Sequence, residues 1–156
     1  GITRASQVPT RWIDQGAVQA LPIIRARTRQ QSGFAEIIFK QHVTDRTNWR
    51  NMLKADVEEI NMKEERDRLL GLCEKELIEL EHQFGIHAIS ILNGVEPVSI
   101  TFPVQQFPEK ISSLNLDKDP FVEGTLMGIK GQYLILDTGV INLRKYSGYQ
   151  IALGST

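Results

Sequence analysis

The amino-acid sequence predicts an α+β protein, with an α/β half at residues 1–94 followed by a small all-β half at residues 95–156. Up to Phe84, apolar residues recur at the three- and four-residue spacing of amphipathic helices. After Gly94, apolar and polar residues alternate as they do in strands. Glycine-bearing turns separate the last strands, which predicts a small antiparallel β-barrel or sandwich.

The first half opens with a short helix and a strand. The chain starts without Met, and residues 1–4 look like the tail of a strand, so we expect earlier strands to be missing from this fragment. Pro9 suits the first turn of a helix and Gly16 suits its end, which predicts a helix at about residues 9–15. Residues 21–28 have the apolar and alternating pattern of a strand.

Three further helices are predicted before the β half. Gly33 interrupts the chain, and helical spacing of apolar residues then predicts a helix over residues 34–43. A short helix is expected at residues 48–54. The longest helix, at about residues 62–84, has one apolar stripe, and Gly85 is a suitable stop. The stripe consists of Leu69, Cys73, Leu77, Leu80 and Phe84.

Six short strands are predicted in the second half from their two-residue periodicity. They lie at residues 98–104, 110–116, 122–129, 132–137, 140–146 and 149–153. Asp137-Thr138-Gly139 spells the aspartic-protease triplet, but that chemistry needs two such aspartates, so we interpret the triplet as a hairpin turn. The GxxG pattern of residues 128–131 is flanked by strands, whereas a nucleic-acid-clamping loop needs helices, so it also predicts a turn.

Composition limits the classes to which the protein can belong. With 41% hydrophobic and 24% charged residues, the chain is typical of globular proteins. No apolar run approaches the roughly 20 residues of a membrane helix, and no signal segment opens the chain. The single cysteine, Cys73, excludes an internal disulfide and fits a reducing compartment. We therefore expect a soluble, cytoplasmic protein with no membrane partner.

Charge is distributed unevenly, although the net charge is only −1. Residues 1–54 hold nine Lys or Arg and three Asp or Glu, a net charge of +6. Residues 55–97 hold four Lys or Arg and eleven Asp or Glu, a net charge of −7. Two interpretations stay open: the basic segment binds a polyanion such as DNA or RNA, or the two segments neutralise each other within one domain.

In the first 55 residues, the end of a strand, a helix with Arg11, a strand and a helix with Glu36 follow one another. This order resembles the GIY-YIG endonuclease superfamily, in which the corresponding helices carry an essential Arg and an essential Glu. The resemblance implies that Arg11 and Glu36 are catalytic and that Glu36 binds Mg²⁺ or another divalent cation. The strands that carry the tyrosine of that superfamily are absent here, so the resemblance is also compatible with a degenerate domain that binds nucleic acid without cleaving it.

Phosphodiester hydrolysis gives the two residues definite roles. The reaction needs a divalent metal on the scissile phosphate, a positive group beside the developing charge and an activated water. Mg²⁺ keeps most of its own waters, so one carboxylate such as Glu36 can hold it, while Arg11 supplies the positive group. The alternative interpretation is that both are ordinary solvated residues on helix surfaces.

Other basic and aromatic residues are candidates for contacts with nucleic acid. Arg25, Arg27 and Arg29 alternate along the predicted strand and should share one face, from which they could contact phosphates. Trp12 could stack on a base, although a tryptophan on a short helix is more often part of a core. The complete set is Arg4, Trp12, Arg25, Arg27, Arg29 and Lys40.

Most of the chain, and residues 128–149 above all, also resembles an uncharacterised prokaryotic family of unknown function. That resemblance implies a cysteine-rich, zinc-binding segment before this region but no particular activity. A second hypothesis is therefore a non-catalytic interaction module. In that case the β half binds a protein or a ribonucleoprotein such as the ribosome, and the first half serves as scaffold.

Overall fold

The computed structural model describes residues 1–44, 48–55 and 58–154, and within them the predicted α+β class is confirmed. The α-helices are α1 (Thr10–Asp14), α2 (Arg29–Lys40), α3 (Trp49–Met52) and α4 (Met62–Phe84). The strands are β1 (Gln19–Ala20), β2 (Ile24–Ala26), β3 (Ile89–Ile91), β4 (Val98–Ser99), β5 (Leu126–Lys130), β6 (Tyr133–Leu136) and β7 (Val140–Asn142). Short 3-10 helices lie at Ala5–Gln7 and Leu143–Tyr146. Among the described helices, none combines the length and apolar character needed to span a bilayer.

Helix α4 has the bounds that the sequence predicts. Asn61 caps its first turn, because the Asn61 side chain accepts hydrogen bonds from the backbone N–H groups of Lys63 and Glu64. Gly85 follows the helix at φ 96°, a conformation that costs glycine little. The apolar stripe is buried at Leu69, Cys73, Leu77 and Leu80, as predicted.

The first core forms between this stripe, helix α2 and the sheet of β2 and β3. Its buried residues are Ala35, Cys73, Leu77, Leu80 and Ile89. Cys73 is fully buried, as predicted, and burial raises the pKa of its thiol. The core therefore joins α2, α4 and one face of the β2–β3 sheet into one unit.

Helix α2 begins at Arg29, not at Phe34 as predicted. A capping box sets this start: the Gln31 backbone N–H donates to Thr28 Oγ1 at 3.2 Å, and the Thr28 backbone N–H donates to Gln31 Oε1 at 3.0 Å. The cap and the packing of Ala35 outweigh the roughly 1 kcal/mol that a glycine costs within a helix. The prediction that Gly33 interrupts the chain was therefore wrong.

Strands β2 and β3 pair in antiparallel register, with Arg25 opposite Ser90. Side chains alternate across a strand, so Ile24 and Ala26 contact the first core while Arg25 lies on the opposite, exposed face. The backbone N–H of Arg27 donates to the carbonyl of Ala88 at 3.1 Å and extends this pairing beyond the strand.

The second half is a three-stranded antiparallel sheet in the order β5-β6-β7, and no closed barrel is found among the described residues. Of the two expected arrangements, a barrel or a sandwich, the barrel is not formed, because the predicted strands at residues 98–104 and 110–116 form only β4 and isolated bridges. Proline lacks the N–H that a strand ladder needs. Four prolines, at positions 97, 103, 108 and 120, lie in or beside this region.

A second core joins helix α3 to the sheet of the second half. Leu53, Ile135 and Val140 are its buried residues. Trp49 stacks on Tyr133 with ring centroids 5.6 Å apart and planes 6° from parallel. Strand β1 also pairs with β4, so contacts cross the predicted domain boundary between residues 94 and 95. The boundary itself stays a prediction.

Candidate functional site

A shallow cavity of about 390 Å³, open to solvent over about half of its boundary, lies where the β2–α2 junction meets the α4–β3 junction. Its polar lining comes mainly from the first junction and its apolar lining from the second. The lining residues that carry this chemistry are Arg27, Thr28, Gln31, Phe84, Ile86 and His87. No carboxylate is present among the described residues that line it.

Arg27 brings a positive charge to this cavity. Its backbone is held by the hydrogen bond to Ala88, which fixes the two junctions to each other. Its guanidinium makes no hydrogen bond or ion pair with any residue that the structure describes. The five N–H donors of this group are therefore available to an anion.

Gln31 contributes a second set of donors. Only 9% of the residue is exposed, and its Oε1 accepts the hydrogen bond from the Thr28 backbone N–H. The atom that faces the Thr28 N–H must be an acceptor, so it is the oxygen Oε1 of the Gln31 amide. The other end of the amide, Nε2, has no hydrogen-bond partner within residues 1–44, 48–55 and 58–154. No buried side-chain nitrogen or oxygen in those ranges lacks a partner, so Nε2 must contact solvent, and Gln31 lines the cavity.

The second junction adds an imidazole and apolar side chains. His87 is exposed and makes no side-chain hydrogen bond in the described part of the chain. Phe84 packs against Phe34 with ring centroids 5.5 Å apart. Ile86 is 72% exposed and places apolar surface beside the cavity. The arrangement suits an anion that carries an apolar part.

Of the predicted basic residues, only Arg27 is among the residues that line this cavity. Arg25 is exposed on the open face of β2. Arg29 is exposed but begins helix α2, so the expectation that it continues the strand was wrong, since the capping box ends the extended backbone at Thr28. Lys40 is the exposed last residue of α2.

Arg11 and Glu36 lie on helices α1 and α2 and are both half-buried. Neither side chain has a hydrogen bond or an ion pair in the described residues, and the two are not bonded to each other. Trp12 is half-buried on α1, and Arg4 is exposed just before the first 3-10 helix. Convergence of Arg11 and Glu36 on one phosphate stays a prediction.

No group of three or more His, Cys, Asp or Glu that could hold a metal ion occurs in the described residues. A largely hydrated Mg²⁺ held through one carboxylate needs no such group. Glu36 fits this kind of ligand, because it is a half-buried carboxylate without a protein partner in the described part of the chain.

A polar network fastens the 3-10 helix Leu143–Tyr146 to the loop around Asp117. Lys145 Nζ donates to Asp117 Oδ2 at 2.8 Å and to Asn115 Oδ1 at 3.2 Å. Tyr149 donates its hydroxyl proton to the same carboxylate, and the Lys145 hydrogen bond is the main reason that the pKa of Asp117 is lowered. Because these groups satisfy one another, we interpret the network as structural.

Gln31 and His87 were not predicted as members of the site. Thr28-x-x-Gln31 is a readable capping-box signal, and the same hydrogen bond that caps α2 directs the amide nitrogen away from Thr28. His87 carried no signal, because its position depends on strand β3, which was not predicted.

Comparison with known proteins gives one match. No match to the chain was found among curated proteins or among solved structures. The GIY-YIG-like core therefore stays a prediction. Residues 1–151 match the family described as "Protein of unknown function (DUF2797)", and the chain belongs to that family.

Proposed function

We propose that the protein binds the phosphate backbone of nucleic acid through the face that carries Arg25, Arg27 and the cavity beside them. The observation that carries this proposal is the cavity lining, in which Arg27, Gln31 and His87 offer donors and no described residue offers a carboxylate. Proteins contact phosphate oxygens with groups of this kind, including arginine and side-chain amides.

The ion pairs of the acidic segment are compatible with an external polyanion. In the described residues, these pairs join members of residues 55–97 to one another. The pairs are Lys63 with Glu96, Arg66 with Asp67 and Arg68 with Glu65. None of them involves Arg25 or Arg27, so the described part of the acidic segment forms no ion pair with these two guanidinium groups.

Removing the two arginines together should weaken binding and its dependence on salt. Affinity falls as salt rises, so the slope of log affinity against log salt is negative. In an Arg25→Ser/Arg27→Ser variant, we expect this slope to become shallower by about 0.7 to 0.9 for each phosphate that the variant no longer neutralises. Fluorescence anisotropy with a labelled 20-nucleotide strand, measured from low to physiological salt, gives this slope.

A Lys118→Ser/Arg144→Ser variant is the matched control for this experiment. It removes the same charge from exposed residues of the second half. Equal losses of affinity in the two variants would mean that only net charge matters, and unchanged binding in the Arg25/Arg27 variant would remove the proposed interface.

We extend the proposal to metal-dependent cleavage at Glu36 and Arg11. Both charges are half-buried and have no partner among residues 1–44, 48–55 and 58–154, which supports this extension. Mg²⁺ would supply charge neutralisation on the scissile phosphate. Glu36→Gln keeps the size of the side chain, so we expect it to abolish Mg²⁺-dependent cleavage of a labelled oligonucleotide while the binding affinity is retained. Equal cleavage by both proteins would exclude a role for Glu36.

A further inference from the structure

We propose that the cavity accepts one unpaired nucleotide, with its phosphate on Arg27 and Gln31 and its base against Phe84 and Ile86. The protein would then prefer single-stranded to double-stranded nucleic acid. This inference rests on the proposed function and gives that site a substrate class.

The first support is the shape of the site. Binding a phosphate backbone needs only exposed cationic side chains, and Arg25 on the open face of β2 already provides one. A concavity of about 390 Å³ is of the size that holds a small organic group. The geometry therefore points to a ligand part that packs into this open depression, in addition to the phosphates that lie along the surface.

The second support is the orientation of Gln31. Its oxygen is held by the Thr28 backbone N–H at 3.0 Å, and the residue is nine-tenths buried, so the direction of its Nε2 group is set before any ligand binds. Two amide N–H groups and the Arg27 guanidinium supply donors for several phosphate oxygens. Pre-orientation lowers the entropy cost of binding.

The third support is the apolar part of the lining. Ile86 is 72% exposed next to these donors, and the partly buried Phe84 also lines the cavity. Unstacked bases bind proteins by packing on such side chains. A base of a duplex would have to leave its pair and its stacked neighbours to reach this site, which costs free energy. An unpaired nucleotide does not have to break a base pair, so we expect it to be preferred.

Three labelled probes of equal length test the inference with the full chain: a single strand, a single strand of abasic residues and a duplex. We expect the normal strand to bind about tenfold more tightly than the abasic strand, which carries the same phosphates. Ile86→Ser should reduce this ratio and leave affinity for the abasic strand unchanged. Leu72→Ser, which alters an exposed residue of α4 that does not line the cavity, is the control and should keep the ratio.

The possible outcomes separate this inference from the proposed function. Salt-dependent binding of equal strength to normal and abasic strands would overturn base entry and leave backbone binding intact. Failure of every probe to bind would overturn both. If a free mononucleotide competed as well as the whole strand, the cavity would serve a small molecule, and its assignment to nucleic acid would be wrong.

Discussion

The side chain of Lys130 is largely covered by the second half of the fold, and the residue is only 2% exposed. Nζ lies 5.2 Å from the ring centroid of Phe107 and 5.8 Å from that of Phe102. It has no hydrogen bond or ion pair with the residues that the structure describes. Burial disfavours the charged form and lowers the pKa of Lys130, and the two aromatic rings offset part of that cost.

Stability should therefore depend on pH through Lys130. The unfolded chain holds the proton more tightly, so the free energy of unfolding rises with pH between the lowered pKa of the folded state and the ordinary value for lysine. Lys130→Met cannot show this rise, because methionine does not titrate. Wild type should therefore gain about 1.4 kcal/mol more unfolding free energy than the variant over this pH range for each unit by which the pKa is lowered. Urea unfolding at pH 7 and pH 10 measures it.

Lys118→Met is the control for the pH experiment because Lys118 is exposed. It should follow the wild-type dependence on pH. Parallel curves for wild type and Lys130→Met would contradict the lowered pKa of Lys130.

At the scale of elements, local signals explain which structures the sequence could predict. Helix α4 could be predicted to its bounds, because its cap, its stripe and Gly85 all lie within one continuous segment. The end of α1 and the hairpin turn between β6 and β7 were predicted close to their observed positions, because their signals are also local. Strands β1 and β3 were missed, since each is two or three residues long and forms by pairing with a distant segment.

The same distinction holds for the candidate site. Arg25 and Arg27 could be found from their alternation along one strand, which is a local pattern. The second wall of the cavity, from Phe84 to His87, lies more than fifty positions later in the chain. Only the pairing of β2 with β3 brings the two walls together, and no local pattern reports that pairing.

Strand β5 leads to a prediction about the close approach of Gly128 to Val104. A Cβ atom added at Gly128 would lie 2.7 Å from the Cα of Val104, which forms a bridge with this glycine. Because the obstacle is backbone, Gly128→Ala should lower the free energy of unfolding by about 1–3 kcal/mol. Thermal or urea unfolding measures the change.

Gly148→Ala is the matched control for that substitution, since nothing lies within 4 Å of the added atom. It should leave the free energy of unfolding within about 0.5 kcal/mol of wild type. Equal effects of the two substitutions would mean that backbone flexibility, and not the proximity of Val104, sets the cost.

At the scale of the whole molecule, residues from both halves of the chain pack into one core. Leu53 belongs to the first half of the sequence, yet it is fully buried against Ile135 and Val140 of the second. The stack of Trp49 on Tyr133 lies in the same core. We therefore expect the halves to unfold together, although the sequence predicted a boundary between residues 94 and 95.

Leu53→Ala tests this coupling, because it should lower the free energy of unfolding by about 2–5 kcal/mol. In a Trp12→Phe background, fluorescence reports on Trp49 and the second core, while labelling of the buried Cys73 thiol reports on the first core. Both signals should shift to lower urea by the same amount, whereas Leu153→Ala, at a residue 97% exposed, should shift neither. A thiol that stays protected at a urea concentration where the fluorescence has already changed would mean that the halves are independent domains.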